Sequence, residues 1–109
     1  MSHTIHRLLP ATKEYDRQPI RSLQLEHVQS AEIGYVHLAL GVRSPPVGLR
    51  KGAHHEVGYL IKGRLTFHTA DEDRDVCAGE AVVLSPAAPH AITAREDVTI
   101  LYAIFDPIP

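Results

Sequence analysis

The stretch Gly48–Gly63, GLRKGAHHEVGYLIKG, is the part of this 109-residue chain that most strongly indicates its fold. Within it, His54, His55 and Glu56 stand directly before an apolar run that ends at a glycine. Histidine and glutamate side chains are typical ligands of divalent metals. Because side chains alternate between the two faces of a strand, His54 and Glu56 are predicted to share one face and His55 to point to the other.

A second stretch, Gly79–His90 (GEAVVLSPAAPH), follows about one hairpin later. Its short apolar run predicts a strand, and the prolines Pro86 and Pro89 predict a turn just before His90. His90 is therefore a third candidate for the site that begins at His54.

The rest of the chain is predicted to be built of short strands separated by turns. We expect strands at 20–28, 33–42, 54–61, 64–69, 75–78, 81–84, 90–94 and 98–105. Residues 1–19 are expected to form an extended arm or a loose edge strand. This rhythm favours an all-β sandwich or barrel, with an N-terminal arm and first strand at 1–30 and the barrel at 31–109, one domain in all.

The composition of the chain argues against several classes of function. The length predicts one domain, and a net charge of −2 argues against nucleic acid and an anionic membrane surface as partners. Cys77 is the single cysteine, which rules out an internal disulfide and is compatible with a reducing compartment. The N-terminal residues do not resemble a signal peptide, and the apolar runs are too short to span a membrane. We expect a cytoplasmic protein.

Together, the two stretches resemble the two motifs of the cupins, a family of small β-barrels or double-sheet jelly rolls. The first motif reads G-x5-H-x-H-x(3,4)-E-x6-G; Gly48-x5-His54 fits its start and Glu56-x6-Gly63 fits its end. The middle histidine and its spacer are missing, so the motif is compressed. The second motif reads G-x5-P-x-G-x2-H-x3-N, and the spacing from Gly79 to His90 fits it. In this motif, Ser85, Ala87 and Ala94 replace the usual Pro, Gly and Asn.

The resemblance implies a site inside the barrel. Carried over to this chain, it implies a divalent metal (Fe, Mn, Ni or Zn) on His54, Glu56 and His90, and no organic cofactor. Glu56 is alternatively a catalytic base. The implied activity is that of a dioxygenase, isomerase or lyase acting on a small polar or carboxylate compound.

Two other functions stay open, since cupins serve many roles. One is a non-catalytic ligand-binding or sensory cupin without metal. The other is a mainly structural subunit that forms a homodimer through edge strands, with residues 1–30 supplying an exchanged strand.

Several further side chains have both a functional and a plain structural interpretation. His37 and His68 are either pocket groups or satisfied histidines, and His55 is expected to be exposed or to face a subunit. The remaining candidates are cavity-lining aromatics (Tyr59, Tyr102), cations at the barrel mouth or in solvent (Arg50, Lys51), a charged hairpin tip (70–75) and an inert thiol (Cys77).

Overall fold

A computed structural model describes residues 5, 7–23 and 28–107, with side chains given for 5, 7–19 and 31–106. The described residues form ten strands and no helix. The strands are β1 (Tyr15–Leu23), β2 (Val28–Leu38), β3 (Arg43–Ser44), β4 (Arg50–Lys51), β5 (His55–Lys62), β6 (Arg64–His68), β7 (Asp73–Cys77), β8 (Ala81–Leu84), β9 (Pro89–Ala94) and β10 (Val98–Pro107).

The strands build two antiparallel sheets that enclose one core. The first sheet has the order β1-β2-β10-β5-β8, and the second has the order β3-β9-β6-β7 with β4 also paired to β9. A buried cluster of aliphatic side chains packs between them: Leu38, Leu60, Leu65, Val76, Ala94 and Val98. The prediction of an all-β double-sheet barrel is confirmed.

The last six strands were predicted to within one or two residues, and the first two were not. The predicted strand Ile20–Val28 is wrong as a single unit: it spans the end of β1 and the first residue of β2, and residues 24–27 lie outside the described residues. Near-alternating apolar residues continue across this junction, which hides it from a pattern search. The expected division at residue 30 falls inside β2.

The segment before β1 is tied to the sheet by polar contacts. The carbonyl of Leu9 accepts hydrogen bonds from His37 Nε2 at 3.1 Å and from Gln18 Nε2 at 3.1 Å. The carboxylate of Asp16 accepts the backbone N–H of Thr12 at 3.1 Å. This hydrogen bond holds the pKa of Asp16 below its ordinary value, and a smaller contribution comes from the hydrogen bond that Gln18 Nε2 donates to the same carboxylate.

No helix in the described residues is long and apolar enough to cross a membrane.

Candidate functional site

The interior of the barrel contains a cavity of about 110 Å³ that is polar at one end and apolar at the other. Alternation along β5 turns Glu56, Gly58 and Leu60 inward, and alternation along β9 places His90 and Ile92 on the cavity wall. Leu60 is only 2% exposed, whereas the Glu56 side chain is 34% exposed. The cavity therefore runs from a closed apolar floor to a polar mouth.

His90 and Glu56 face each other at this mouth. The Nε2 atom of His90 lies 3.9 Å from Oε2 of Glu56, which is too far for a hydrogen bond but close enough for one ligand atom to contact both. The His90 ring is stacked on Phe67, with 6.0 Å between ring centroids and an interplanar angle of 13°. Packing and position thus fix the imidazole beside the carboxylate.

The tautomer of His90 follows from its second contact. Its Nδ1 atom lies 3.0 Å from the carbonyl oxygen of Ala88, an atom that only accepts hydrogen bonds. Nδ1 must therefore carry a proton, and in the neutral imidazole Nε2 presents a lone pair toward Glu56.

Arg50 adds a cation to the mouth. β4 pairs antiparallel with β9 in a register that sets Arg50 directly opposite His90, so the two side chains share a face. The Arg50 guanidinium donates to the hydroxyl of the buried Ser44 at 3.2 Å, and both residues line the cavity. The sequence leaves two interpretations of Arg50 open, a solvated cation and a residue at the barrel mouth, and the structure places it in the cavity lining. Nothing in the sequence distinguishes Ser44 as a cavity residue.

Tyr102 lines the cavity midway between mouth and floor. Its hydroxyl donates to Oε2 of Glu32 at 2.8 Å, and Glu32 also pairs with Arg17, whose guanidinium lies 5.1 Å from the Tyr102 ring centroid. Burial, then the hydrogen bond to Glu32, raises the pKa of Tyr102 to about 12. The hydroxyl of Tyr102 is therefore engaged in a structural hydrogen bond, and its ring forms part of the cavity wall.

A glycine allows this tyrosine to fit. The neighbouring strand places Gly34 opposite Tyr102, and a Cβ built there lies 2.6 Å from the tyrosine oxygen and 2.7 Å from the carbonyl oxygen of Gln18. Any larger residue at position 34 displaces backbone as well as the ring.

His54 does not join His90 and Glu56 in the cavity lining. β5 begins at His55, so His54 lies in the bend before the strand, where alternation no longer applies. Its Nδ1 pairs with the carboxylate of Asp106, and its side chain is 46% exposed. Among the residues that the structure describes, no group of three or more His, Cys, Asp or Glu side chains is placed to hold a metal ion.

The other histidines in the described part of the chain have structural partners. His37 bonds Thr99 at 3.0 Å as well as Leu9, and His68 bonds Asp73 at 2.8 Å and Thr93 at 2.7 Å. His55 stacks on Phe105 at 5.5 Å. Tyr59 is 43% exposed and is not part of the cavity wall.

Solved structures with a similar fold include several that are described as cupins. An RmlC-like cupin from Desulfovibrio desulfuricans matches with a TM-score of 0.71 and 17% identity over 98% of this chain and all of its own. KdgF from a Halomonas species matches at 0.68 with 19% identity over 95% and 90%, and EutQ of Clostridium difficile at 0.68 with 11% identity over 84% and 68%.

No family model matches the sequence, and no curated protein matches it either. The chain has the cupin fold, as its two motifs predicted.

Proposed function

We propose that this chain binds a small organic molecule inside the barrel, with the polar head of the ligand between His90, Glu56 and Arg50. The observation that carries the proposal is the 3.9 Å gap between His90 Nε2 and Glu56 Oε2 at the mouth of an otherwise apolar cavity. Cavities with apolar walls and a few convergent polar groups are the usual form of a small-molecule site.

The size of the cavity limits the ligand. A dry cavity of roughly 150 Å³ holds benzene, and the interior of this barrel measures about 110 Å³. The buried part of the ligand is therefore small, with an aliphatic body against Leu60, Leu65 and Ile100. Any larger part of it extends through the mouth.

The mouth also fixes the chemistry of the ligand head. Glu56 presents carboxylate oxygens, and an imidazole with its proton on Nδ1 presents the lone pair of Nε2 at His90, so both positions suit a hydrogen-bond donor. Arg50 presents only donors and seeks an acceptor or an anion. A head with a hydroxyl beside a carboxylate satisfies all three groups, which makes short-chain hydroxy acids the favoured ligand class.

A second candidate function is proton transfer on that ligand. A ligand atom held in the gap is within reach of Glu56, whose carboxylate accepts a proton from one position of the ligand and returns the same proton to a neighbouring position. Glu56 is the base in this proposal, as the sequence suggested, and the reaction class is an isomerisation without loss or gain of atoms.

The described residues do not fit a three-ligand metal centre. The cavity wall supplies one imidazole and one carboxylate, and His54 is paired with Asp106 instead. No step of the proposal passes through a metal.

Thermal unfolding against a panel of short hydroxy acids, matched acids without the hydroxyl, and divalent metals tests the proposal. A hydroxy acid at a hundred times its Kd adds about 2.7 kcal/mol of apparent stability, which raises Tm by about 10 °C. Glu56→Gln and His90→Gln are expected to abolish this shift.

His54→Ala is the discriminating variant. If hydroxy acids bind at the mouth, they raise the Tm of His54→Ala by as much as they raise that of the wild type. If a metal instead binds through His54, Glu56 and His90, metals raise the Tm of the wild type but not that of His54→Ala, Glu56→Gln or His90→Gln, and hydroxy acids have no effect. This result would overturn the proposal.

A further inference from the structure

A second pocket opens on the side of the barrel where the two sheets part. β7 and β8 are the last strands of different sheets, and the chain passes from one to the other through the turn at Gly79. The pocket between them measures about 300 Å³, at the lower end of the roughly 300–1,000 Å³ that small-molecule sites occupy. It is here called the side pocket and is defined by Phe67, Glu72, Arg74, Val76, Glu80 and Val82.

The floor of the side pocket is apolar and is shared with the barrel cavity. Phe67, Val76 and Val82 line both, so a single layer of side chains separates the two spaces. Strand register accounts for this, because Val76 is paired with Leu65 and Val82 with Gly58, and both partners line the barrel cavity. The side pocket therefore offers apolar contact to an aliphatic group that does not enter the barrel mouth.

Arg74 adds a cation above this floor. It is paired with Phe67 across β6 and β7, and directly opposed residues point to the same face, so its side chain lies on the pocket side of the sheet. Arg74 forms no ion pair with another of the residues that the structure describes. Its guanidinium donors are therefore open to an acceptor on a ligand.

Glu80 adds a carboxylate in a fixed position. Its Oε1 accepts the backbone N–H of Cys77 at 2.7 Å, and its own N–H donates to the carbonyl of Cys77 at 3.1 Å. The carboxylate of Asp75 also borders the pocket, but it accepts the hydroxyl of Thr66 at 3.1 Å and lies 3.9 Å from Arg64. Because a carboxylate has two oxygens, Glu80 can bind a further donor and keep its hydrogen bond to the turn.

We propose that the side pocket binds a free amino acid with an aliphatic side chain. Arg74 and Glu80 line the same pocket without pairing to each other. A simple anion satisfies only Arg74 and a simple cation only Glu80. An amino acid carries a carboxylate for the first, an ammonium group for the second and an apolar side chain for the floor.

The remaining charge of the pocket agrees with such a ligand. Glu72, at the hairpin end, adds a second carboxylate, so the side pocket has more negative than positive groups. This excess disfavours a ligand with a net negative charge, whereas an amino acid is neutral overall. The side pocket is separate from the mouth of the barrel, and the proposal does not rest on the binding of hydroxy acids there.

NMR titration of the isotope-labelled protein with leucine tests the proposal. Leucine is expected to shift the backbone amides of β7 and β8, and the size of the shifts against concentration gives its Kd. Isoamylamine lacks the carboxylate of leucine, and isocaproate lacks the ammonium group. Each is expected to bind about tenfold more weakly or worse, because one charge-assisted hydrogen bond is lost.

Two substitutions remove the charges of the site one at a time. Arg74→Gln and Glu80→Gln are each expected to raise the Kd for leucine about tenfold or more. Glutamine at position 80 retains an oxygen that accepts the N–H of Cys77, so the turn is kept. Arg64→Gln is the matched control, since Arg64 is on the neighbouring strand and its side chain is 46% exposed, and it is expected to leave the Kd unchanged.

Several results contradict the proposal. Leucine that shifts no amide at millimolar concentration excludes the site, and a Kd that Arg74→Gln leaves unchanged excludes the role of the cation. Equal affinity for leucine and its two analogues shows that the pocket does not select an amino acid. Shifts centred on Glu56 and His90 that disappear in Glu56→Gln would place leucine at the barrel mouth instead.

Discussion

The floor and the mouth of the barrel are built from the same strands but from different chemistry. At the floor, Leu38, Leu60 and Leu65 are at most 4% exposed and belong to one cluster of buried apolar side chains. At the mouth, Glu56 and His90 remain partly exposed and lack a direct hydrogen bond to each other. The floor is a packed apolar cluster, whereas the mouth contains polar groups that do not hydrogen-bond to each other.

This difference separates stability from binding. Burial of apolar side chains is the main favourable term in folding, and the floor provides it. Polar groups that converge on a gap add little to folding but give a ligand its orientation. The comparison predicts that substitutions at the floor change the free energy of unfolding, and that those at the mouth change ligand response instead.

The largest expected effect is at the floor. Leu60→Ala removes a side chain that is 2% exposed, and is expected to lower the free energy of unfolding by about 2–5 kcal/mol. Its neighbour Ile61 is 42% exposed, so Ile61→Ala is the matched control, with an expected loss below about 1 kcal/mol. Urea denaturation measures both. Equal losses would show that the floor is not the main source of stability.

Tyr102, at the border between the two ends, is expected to have an intermediate effect. Tyr102→Phe removes the hydrogen bond to Glu32 and is expected to lower stability by about 1–2 kcal/mol at neutral pH. The pKa of Tyr102 is raised from 10.0 to about 12, so the folded state retains the phenol proton longer than the unfolded chain. Its contribution is complete below pH 10 and is lost as the pH rises through 12.

Stability measured from pH 9 to 12 checks this point. The wild type is expected to lose stability more steeply than Tyr102→Phe across that window. Parallel pH curves for the two proteins would mean that the hydroxyl has the same pKa in the folded and unfolded states.

Much of the barrel could be predicted from the sequence because its later strands are short and alternating. Turn residues such as Gly63 and Gly79 have the positive φ angles, 88° and 93°, that glycine adopts readily. Glu56 and His90 could be placed in one site only through the resemblance to the cupin motifs, because their strands lie in different sheets. Strand alternation also placed His55 correctly outside.

The rest of the site depends on facts that sequence spacing does not contain. The prediction for His54 extended strand alternation one residue too far, and where a strand begins is set by its hydrogen-bonded partners. The position of Arg50 at the mouth depends on the pairing of β4 with β9, two segments far apart in the chain. Such long-range pairing leaves no periodic pattern in a two-residue strand.

The smallest expected effect tests the turn that carries His90. Ala87 stands where the cupin motif has glycine, and its φ angle is 64°, a region that residues with a Cβ disfavour. Ala87→Gly is expected to raise the free energy of unfolding by roughly 0.5–1 kcal/mol. Ala88→Gly, without a positive φ, is the control and is expected to lose about as much. Thermal melts that rank the two variants in the opposite order would contradict this.

The rim of the mouth is fastened by the main chain. The backbone N–H of Ala87 donates to the carbonyl of Gly52 at 2.8 Å, and a Cβ built on Gly52 meets no atom within 4 Å. Because this hydrogen bond uses only backbone atoms, substitutions of side chains around the opening can change which ligands enter without breaking it. Such a rim can diversify during evolution, or in a designed library, while the barrel behind it stays the same.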